Sequence, residues 1–424
     1  MGNLKNLLAQ GGLDEKLTVL YGANRLESAK TRCEAVLSEF DKAFDSEAAA
    51  IFSAPGRSEL GGNHTDHQHG RVIAAAVDLD IFAAVSPRND GKIRVLSQGY
   101  PLIEVELSQL SPVEAEKNTS AALIRGVAAR MIELGCPLSG KGFDAYVVST
   151  VLGGSGLSSS AAFEVLIGTI INGLFWDNKA TAIEIAQIGQ YAENVFFGKP
   201  CGLMDQMASS VGGVVAIDFA DTKSPVVEQI ALDLNAEGYA LCILDSGADH
   251  ADLTDEYASI TDGLKAVCSC FGKDFLREVD EEEFIAKLPE VRKTAGDRSA
   301  LRAFHIFFEN KRAAQEAQAL KEKNFDEFLR LVRESGRSSA MYLQNVIPTG
   351  QTKNQELMLT IALSEKLLGG RGAVRVHGGG FGGTAQAFVP LDMLEQFKAK
   401  TEAVLGEGSC HVVTVRPVGG FRLA

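Results

Sequence analysis

The sequence predicts an α+β fold built from two domains, and three observations support that prediction. The chain has 424 residues, more than one domain usually holds, so two domains of roughly 200 residues each are expected. Hydrophobic residues make up 46% of the chain and charged residues 23%, which is enough apolar material for sizeable cores. Strand-like and helix-like segments are mixed without the strict alternation of a doubly wound sheet, which favours α+β.

The elements of the first half follow from hydrophobic periodicity, which differs between a helix and a strand. Helices are predicted at residues 28–44, 120–134, 161–175 and 181–196. Strands are predicted at residues 93–96, 103–107 and 143–151, and as one or two buried strands within the nearly continuous apolar run 72–85. Thr181, with Glu184 three residues later, is expected to cap the last of these helices.

The second half combines strands with charged helices. Strands are predicted at residues 240–244, 374–376 and 385–389, and the last two flank a glycine hairpin. Residues 281–329 are rich in charge and mostly helical in pattern. A break is expected there at Pro289, because proline lacks the amide hydrogen that a helix interior needs.

Composition argues against several classes of protein. The formal net charge of −14 disfavours a nucleic-acid binder, which needs a basic face to meet phosphates. No apolar run approaches the roughly 18 residues of a membrane span, and residues 1–12 lack the pattern of a secretory signal. The seven cysteines are scattered and odd in number, which predicts reduced thiols in a cytoplasmic protein.

A loop rich in glycine and serine, residues 153–162, lies between a predicted strand and a predicted helix, and we call it the Gly-Ser loop. Small residues let the backbone approach a ligand, and a helix N-terminus offers N–H groups to an anion. The loop lacks the lysine of a Walker loop and the third glycine of a dinucleotide fingerprint. Taken alone, it indicates either a phosphate site or a tight turn capped by serine.

Two further segments are rich in glycine or histidine. The glycine segment, residues 378–383, holds five glycines and precedes a strand, which indicates a bulged hairpin or a backbone pressed against a ligand. The His-rich loop, residues 56–70, contains His64, His67 and His69 with Asp66, at a spacing that disfavours zinc. A polar loop that binds a polyhydroxylated ligand fits these residues better.

The aspartate segment, residues 201–207, places the single carboxylate of Asp205 among apolar residues. A lone aspartate in such a place is more often a helix cap than a catalyst. The segment alone therefore does not assign a role to Asp205.

In their order and spacing, these four segments resemble the galactokinase branch of the GHMP kinases over about residues 20–420. The His-rich loop resembles the signature Gly-Arg-Val-Asn-Leu-Ile-Gly-Glu-His-Thr-Asp-Tyr-Asn, and Gly-Leu-Ser-Ser-Ser-Ala at 156–161 resembles the phosphate loop. Ala192-Glu193-Asn194 with the aspartate segment resembles the catalytic stretch, and the glycine segment resembles the third motif. The resemblance implies an S5-type N-terminal domain at residues 20–215, a ferredoxin-like C-terminal domain at 216–424, and an active site between them.

The resemblance also implies an ATP-dependent sugar 1-kinase that uses Mg²⁺, with galactose as the default substrate. Asp205 matches the catalytic aspartate, and Arg57 matches the arginine that holds it and the nascent phosphate oxygens. Ser160 and Glu193 match magnesium ligands. The residues that match the triphosphate cradle are Gly154, Ser155, Gly156, Leu157, Ser158, Ser159 and Ser160. The residues that match the sugar pocket are Asn63, His64, Asp66, Gly202 and Tyr257. Gly380 and Gly382 would bring backbone near the catalytic pocket.

The His-rich loop departs from the family pattern. The family's glutamate, which accepts a hydrogen bond from the far hydroxyl of galactose, is Asn63 here, and the earlier asparagine is Glu59. Because an amide is uncharged and can donate, Asn63 predicts a preference broadened or shifted toward galacturonate. The other replacements are His67, Leu152, Asp249 and His377.

Three functions therefore remain as alternatives at this stage. The first is a galactokinase, and the second is a kinase of galacturonate or of another hexose derivative. The third is a non-catalytic sugar sensor, which the retained Ser160, Arg57 and Asp205 disfavour. A monomer or weak homodimer is expected.

Overall fold

The computed structural model describes residues 4–151, 153, 156–248 and 253–424. The helices of the first half are α1 (Leu4–Ala9), α2 (Asp14–Tyr21), α3 (Leu26–Phe44), α4 (Ser120–Glu133), α5 (Ser159–Phe175), α6 (Ala182–Tyr191) and α7 (Met204–Val211). The strands of the first half are β1 (Ala50–Gly61), β2 (Arg71–Arg88), β3 (Lys92–Ser97), β4 (Ile103–Glu106), β5 (Gly142–Ser149), β6 (Val214–Asp218) and β7 (Val226–Ile230). A π-helical turn (Ala192–Phe197) continues α6.

The second half begins at a strand and is richer in helices. Its strands are β8 (Tyr239–Asp245), β9 (Ala373–Val376), β10 (Thr384–Pro390), β11 (Cys410–Val413) and β12 (Phe421–Arg422). Its helices are α8 (Thr254–Ser269), α9 (Glu281–Ala286), α10 (Leu288–Lys321), α11 (Phe325–Ser338), α12 (Glu356–Leu368) and α13 (Leu394–Leu405). None of the described helices is both long and apolar enough to cross a membrane.

Within the described residues the strands form two sheets. The larger has eight strands in the order β12-β1-β2-β5-β3-β4, with β6 paired to β2 and β7 paired to β6. The smaller has four strands in the order β11-β8-β10-β9. Both sheets are antiparallel except where β3 runs parallel to β5. Mixed sheets covered by helices confirm the predicted α+β class.

The long strand β2 is covered on both faces, which explains its nearly continuous apolar sequence. Ile81, Ala83 and Val85 belong to the large core between the sheet and the helices α4 and α5. Phe82 and Ala84, at the alternate positions, belong to a second core that forms under α1 to α3. The apolar run is therefore one strand and not two.

The N-terminal helices α1 and α2, for which periodicity gave no prediction, are part of this second core. Leu8 and Leu17 are fully buried in it. At the end of α2, the hydroxyl of Tyr21 donates a 2.5 Å hydrogen bond to Asp80 of β2. Asp80 is also paired with Arg32 of α3 at 2.6 Å, so the N-terminal helices are tied to the sheet by polar contacts as well as by packing.

The predicted helix signals are met in part. The capping box is confirmed, because Thr181 Oγ1 accepts from the amide of Glu184 and the Glu184 carboxylate accepts from the amide of Thr181. The break near Pro289 lies between α9 and α10, so this proline stands in the first turn of α10, where its missing N–H has no partner to lose. A second, unpredicted break lies within α10 at Gly296, where φ is 83°.

The division into domains at 215/216 stays a prediction. That position falls inside β6, which pairs with β2. The first sheet includes strands up to Ile230 and also the C-terminal strand of Phe421 and Arg422. The second sheet begins at Tyr239.

Candidate active site

The Gly-Ser loop leads directly into the N-terminus of α5. Gly154 and Ser155, predicted to bind the triphosphate, lie outside the described residues, as does Leu152. Ser158 precedes the helix with φ 55°, a left-handed conformation that residues other than glycine rarely adopt. Strain of this kind persists where the surrounding contacts fix the backbone, and it is common at ligand sites.

The remaining residues of the predicted triphosphate cradle differ in what they can offer. The side chain of Leu157 is fully buried and its carbonyl accepts from the amide of Arg57 at 3.1 Å, so only its own N–H could face a ligand. Ser159 is exposed at the first turn of α5, and Ser160 is half-buried beside it. The carbonyl of Gly156 accepts a hydrogen bond from Nη1 of Arg57.

Asp205, in the first turn of α7, meets two residues that are distant in sequence. Arg57 of β1 contacts its Oδ1 through Nε and Nη2, both at 2.6 Å. Ser158 donates its hydroxyl to Oδ2 of the same carboxylate. The structure thus brings together the His-rich loop, the Gly-Ser loop and the aspartate segment at one carboxylate.

The charge state of Asp205 reflects two opposing effects. Burial raises the pKa of its carboxyl group, but the positive charge and hydrogen bonds of Arg57 outweigh burial and hold the pKa below its ordinary value. The side chain of Asp205 is 32% exposed, whereas that of Arg57 is 7% exposed. A ligand can therefore reach an ionised carboxylate whose counter-ion is shielded from water.

Ser160 and Glu193, the predicted metal ligands, lie next to each other at the end of the Gly-Ser loop. The Ser160 hydroxyl is 3.3 Å from Oε1 of Glu193, and Nζ of Lys199 is 3.9 Å from the same oxygen. Hydroxyl and carboxylate oxygens suit Mg²⁺, which proteins hold with few side chains and with substrate phosphates. The described residues contain no group of three or more histidine, cysteine, aspartate or glutamate side chains that could hold a metal ion.

Gln206, which sequence reasoning did not single out, orients Glu193. Its Nε2 donates to Oε2 of Glu193 and to Oε2 of Glu164, each at 2.9 Å. Glu164 is fully buried, and burial together with the charge of Glu193 raises its pKa well above the ordinary value. A glutamate inside the apolar helix predicted at 161–175 was the available signal for this cluster.

The predicted sugar-binding residues converge on the glycine segment and on the aspartate segment. His64 donates from Nε2 to the carbonyl of Gly379 at 3.0 Å, and burial, with a smaller contribution from His67, lowers its pKa to about 3, so it is neutral. Tyr257 is 37% exposed, and its hydroxyl donates to the carbonyl of Gly380 at 3.1 Å. Asp249 lies outside the described residues.

Asp66 lies against Gly202 of the aspartate segment. A Cβ atom at position 202 would stand 2.0 Å from Oδ2 of Asp66, so only glycine fits there without displacing the carboxylate. This close approach links the His-rich loop to the helix that carries Asp205.

The three histidines of the His-rich loop make different contacts, and the ring centroids of His64 and His67 lie 6.3 Å apart. His67 is exposed and lies 3.8 Å from Asp66, while His69 stacks on Phe275 with ring centroids 3.6 Å apart. His64, as described, turns to the glycine segment. Their side chains therefore make three different contacts.

Asn63 has surroundings that differ from those expected. Its side chain is fully buried, and Nδ2 donates to Oε1 of Glu59 at 3.0 Å and to the carbonyl of Gly378 at 2.8 Å. Its Oδ1 accepts from Nδ2 of Asn345 at 2.9 Å. The amide of Asn63 therefore has protein partners at both of its polar atoms, and its part in the choice of sugar stays a prediction.

Two family models match the segments that form this site. One, described as the galactokinase galactose-binding signature, matches residues 38–87, which include Arg57 and the His-rich loop. The other, described as the N-terminal domain of GHMP kinases, matches residues 122–213, which include the Gly-Ser loop and Asp205.

Solved structures are similar over most of the chain. Galactokinase of Lactococcus lactis, solved in complex with galactose, is 24% identical, with a TM-score of 0.79 over 92% of this chain and 99% of that chain. Mevalonate kinase of Methanococcus jannaschii is 13% identical, with a TM-score of 0.60 over 86% of this chain and 98% of that chain. D-glycero-D-manno-heptose 1-phosphate kinase of Bacteroides thetaiotaomicron is 16% identical, with a TM-score of 0.57 over 88% and 98%.

At these identities the solved structures show a shared fold, and the two family models add the sugar signature and the kinase domain. The matched segments carry Asp205 and the two residues that contact it, Arg57 and Ser158. In fold the chain is similar to GHMP kinases, and two of its segments match the galactokinase galactose-binding signature and the N-terminal domain of GHMP kinases.

Proposed function

We propose that this chain transfers the γ-phosphoryl group of ATP to the anomeric hydroxyl of galactose. The observation that supports this most strongly is the contact of Arg57 and Ser158 with Asp205, beside the loop that matches the galactose-binding signature. Phosphoryl transfer needs an oriented nucleophile and positive charge near the transferred group, and this cluster offers both.

Asp205 orients the attacking hydroxyl. Its carboxylate accepts a hydrogen bond from the anomeric O–H, which aims the oxygen at the γ-phosphorus. Because Arg57 holds the pKa of Asp205 low, the carboxylate is a weak base and takes the proton only as the new O–P bond forms. The bond between the γ-phosphorus and the bridging oxygen breaks at the same time, and ADP leaves with that electron pair.

Arg57 has two tasks in this proposal. It fixes Asp205 through two contacts of 2.6 Å, and its guanidinium lies where negative charge spreads over the transferred phosphoryl oxygens. The same side chain donates to Gly156, so it also holds the Gly-Ser loop at the site of transfer.

Ser160 and Glu193 would hold Mg²⁺, with Gln206 fixing the carboxylate of Glu193. When bound, this ion neutralises charge on the phosphates. The N-terminus of α5, which follows the Gly-Ser loop, would favour the negative charge of the same phosphates.

The sugar pocket is proposed to use His64, Asp66 and Tyr257. A neutral imidazole, a carboxylate and a phenol supply the donors and acceptors that sugar hydroxyls require. A sugar sensor without turnover is less well supported, because Asp205 is accessible and already oriented by Arg57 and Ser158.

The test is an ADP-release assay with Mg²⁺-ATP and a panel of free sugars, with Asp205→Asn as the control. The panel contains galactose, galacturonate, galactosamine, N-acetylgalactosamine, glucose and arabinose. Turnover should be highest with galactose and should disappear in the control. Bound ATP without turnover of any sugar would contradict the proposal, and faster turnover of another sugar would refute galactose as the substrate.

A further inference from the structure

Asn63 is joined to the rest of the protein through each of its polar atoms. Its amide N–H donates to Oε1 of Glu309 at 3.2 Å, and its carbonyl accepts from Nε2 of His305 at 3.0 Å. Its side chain bonds to Glu59 and Gly378 as donor and to Asn345 as acceptor. A fully buried residue with this many partners determines the position of the backbone that carries it.

Glu59, the side-chain partner of Asn63 within the His-rich loop, is tied to the second sheet. Its Oε1 accepts from Nη2 of Arg375 as well as from Asn63. Arg375, which is fully buried on β9, also donates to the carbonyl of Leu60 at 3.2 Å. Gln386 of β10 donates to the carbonyl of Glu59 at 2.9 Å. The end of β1 is therefore fixed against β9 and β10.

The glycine segment is held by the same cluster. Nδ2 of Asn345 donates to the carbonyl of Gly379 at 3.2 Å as well as to Asn63, and the carbonyl of Asn345 accepts from the amide of Phe381 at 2.5 Å. His64 and Tyr257 rest on carbonyls of this segment. A displacement at Asn63 would therefore move both residues relative to Asp66.

The chemistry at position 63 requires an amide. Gly378 and Glu59 present acceptor oxygens to Nδ2, and Asn345 presents a donor to Oδ1. A carboxylate at this position would place acceptors against two acceptors. Relative to the signature that this loop resembles, the acid and the amide have exchanged positions, and here they contact each other directly.

We propose that Asn63 and Glu59 are a matched amide–carboxylate pair of positioning residues. The pair sets the His-rich loop and the glycine segment at the spacing that His64 and Tyr257 need, and neither member touches the sugar. This inference rests on the proposed sugar kinase activity, and it assigns the choice of sugar to residues other than Asn63.

The test is a double-mutant cycle of near-isosteric changes: Asn63→Asp, Glu59→Gln and the double variant. Asn63→Asp should raise the KM of every accepted sugar by a similar factor and leave the KM of ATP nearly unchanged. Glu59→Gln should cause a smaller loss, because its amide oxygen can still accept from Asn63. The double variant should recover about tenfold in kcat/KM over Asn63→Asp, since an amide again faces the carboxylate.

Three results would overturn the proposal. One is a change of more than about tenfold in the ratio of kcat/KM between two sugars in Asn63→Asp, which would indicate direct contact with the sugar. Another is additivity of the two substitutions, in which adding Glu59→Gln to Asn63→Asp restores no kcat/KM. The third is a lowered Tm with unaltered kinetics well below it, which would indicate a structural role only.

Asn345→Ala provides a second route if Asn63→Asp does not fold. This variant does not alter the sequence of the His-rich loop, but it removes the side-chain donor to Asn63 and Gly379. It should therefore also raise the KM of all sugars without changing the order of preference among them. An altered order would contradict the proposal. Wild-type turnover is measured first, because its absence is a failure of the proposed activity. In that case the cycle is followed by calorimetric titration with each sugar, where the same pattern is expected in Kd.

Discussion

At the scale of single residues, the reactive carboxylate shows how one contact decides a charge state. Asp205 is partly exposed, and Arg57 keeps its pKa below the ordinary value although burial acts in the opposite direction. Such a carboxylate is ionised near neutral pH, so in the proposed reaction it can accept a hydrogen bond from the sugar hydroxyl. In the proposed reaction Asp205 contributes more by orienting the sugar hydroxyl than by acting as a strong base.

Asp205→Asn should lower kcat by about 10²- to 10⁴-fold, the range typical of a positioned acid or base. ATP binding should persist, because we propose that the Gly-Ser loop holds the nucleotide. Asp262→Asn, an exposed change on α8, is the matched control and should leave kcat unaltered. Single-turnover kinetics with calorimetric ATP binding separate the two effects. Retention of kcat in Asp205→Asn would contradict the assigned role.

Gly202→Ala should weaken the sugar site selectively. The new Cβ would stand 2.0 Å from Oδ2 of Asp66, so the carboxylate must move. We expect the sugar KM to rise by about 10- to 100-fold, because a shift of roughly 1 Å can have that effect. The KM of ATP serves as the internal control. Equal changes in both constants would argue against a sugar role for Asp66.

At the scale of elements, the sequence predicted many of those with a strong period, including the short strands β4 and β9. It gave no prediction for α1 and α2, nor for the longer elements β1, α8, α12 and α13. α3, α4 and α5 each have a long apolar pattern and were predicted. β2 was predicted to be buried from its nearly continuous apolar sequence, which reflects the burial of both of its faces. α1 and α2 have six and eight residues and flank two glycines, which is too short a pattern to detect. Their helical state depends on packing against the sheet.

The capping box of α6 gives a prediction at this scale. Thr181→Ala removes the side-chain acceptor for the amide of Glu184 and should lower the free energy of unfolding by about 1 kcal/mol. Thr31→Ala is the control, since Thr31 is exposed within α3 and caps nothing. Chemical denaturation of both variants, with kcat measured alongside, is the check. An equal loss in the two variants would contradict the capping argument.

At the scale of the whole molecule, the candidate site combines segments from both sheets. The residues that meet at Asp205 could be foreseen, because their types and spacing resemble a family motif. The burial of Asn63 could not, because it depends on His305, Glu309, Asn345 and Arg375, which lie hundreds of residues away in the chain. Side-chain direction follows from tertiary contacts that a local pattern does not contain.

A buried acid between α10 and β1 links stability to pH. Glu316 is fully buried, neither carboxyl oxygen has a hydrogen-bond partner within the described part of the chain, and burial raises its pKa well above the ordinary 4.5. The folded state therefore keeps a proton that the unfolded state loses above that pH. Stability from this group is complete below about pH 4.5 and falls as pH rises toward the folded pKa.

Glu316→Gln removes this titration. Relative to the wild type, its free energy of unfolding should increase between pH 5 and pH 8, by up to about 1.4 kcal/mol for each pH unit within the window. Glu365→Gln, an exposed change on α12, is the control and should show no such trend. Denaturant titrations at the two pH values give the comparison. A difference from wild type that is the same at both values would show that Glu316 is not buried in its neutral form.

The position of the transferred phosphate shows whether the anomeric hydroxyl is the acceptor. We would follow the reaction of Mg²⁺-ATP with galactose and with methyl α-galactoside by ³¹P NMR. We expect a sugar phosphate whose phosphorus couples to the anomeric proton of galactose, and no product from the methyl glycoside, whose anomeric oxygen is blocked. Phosphorylation of the methyl glycoside, or phosphate at another carbon of galactose, would contradict it.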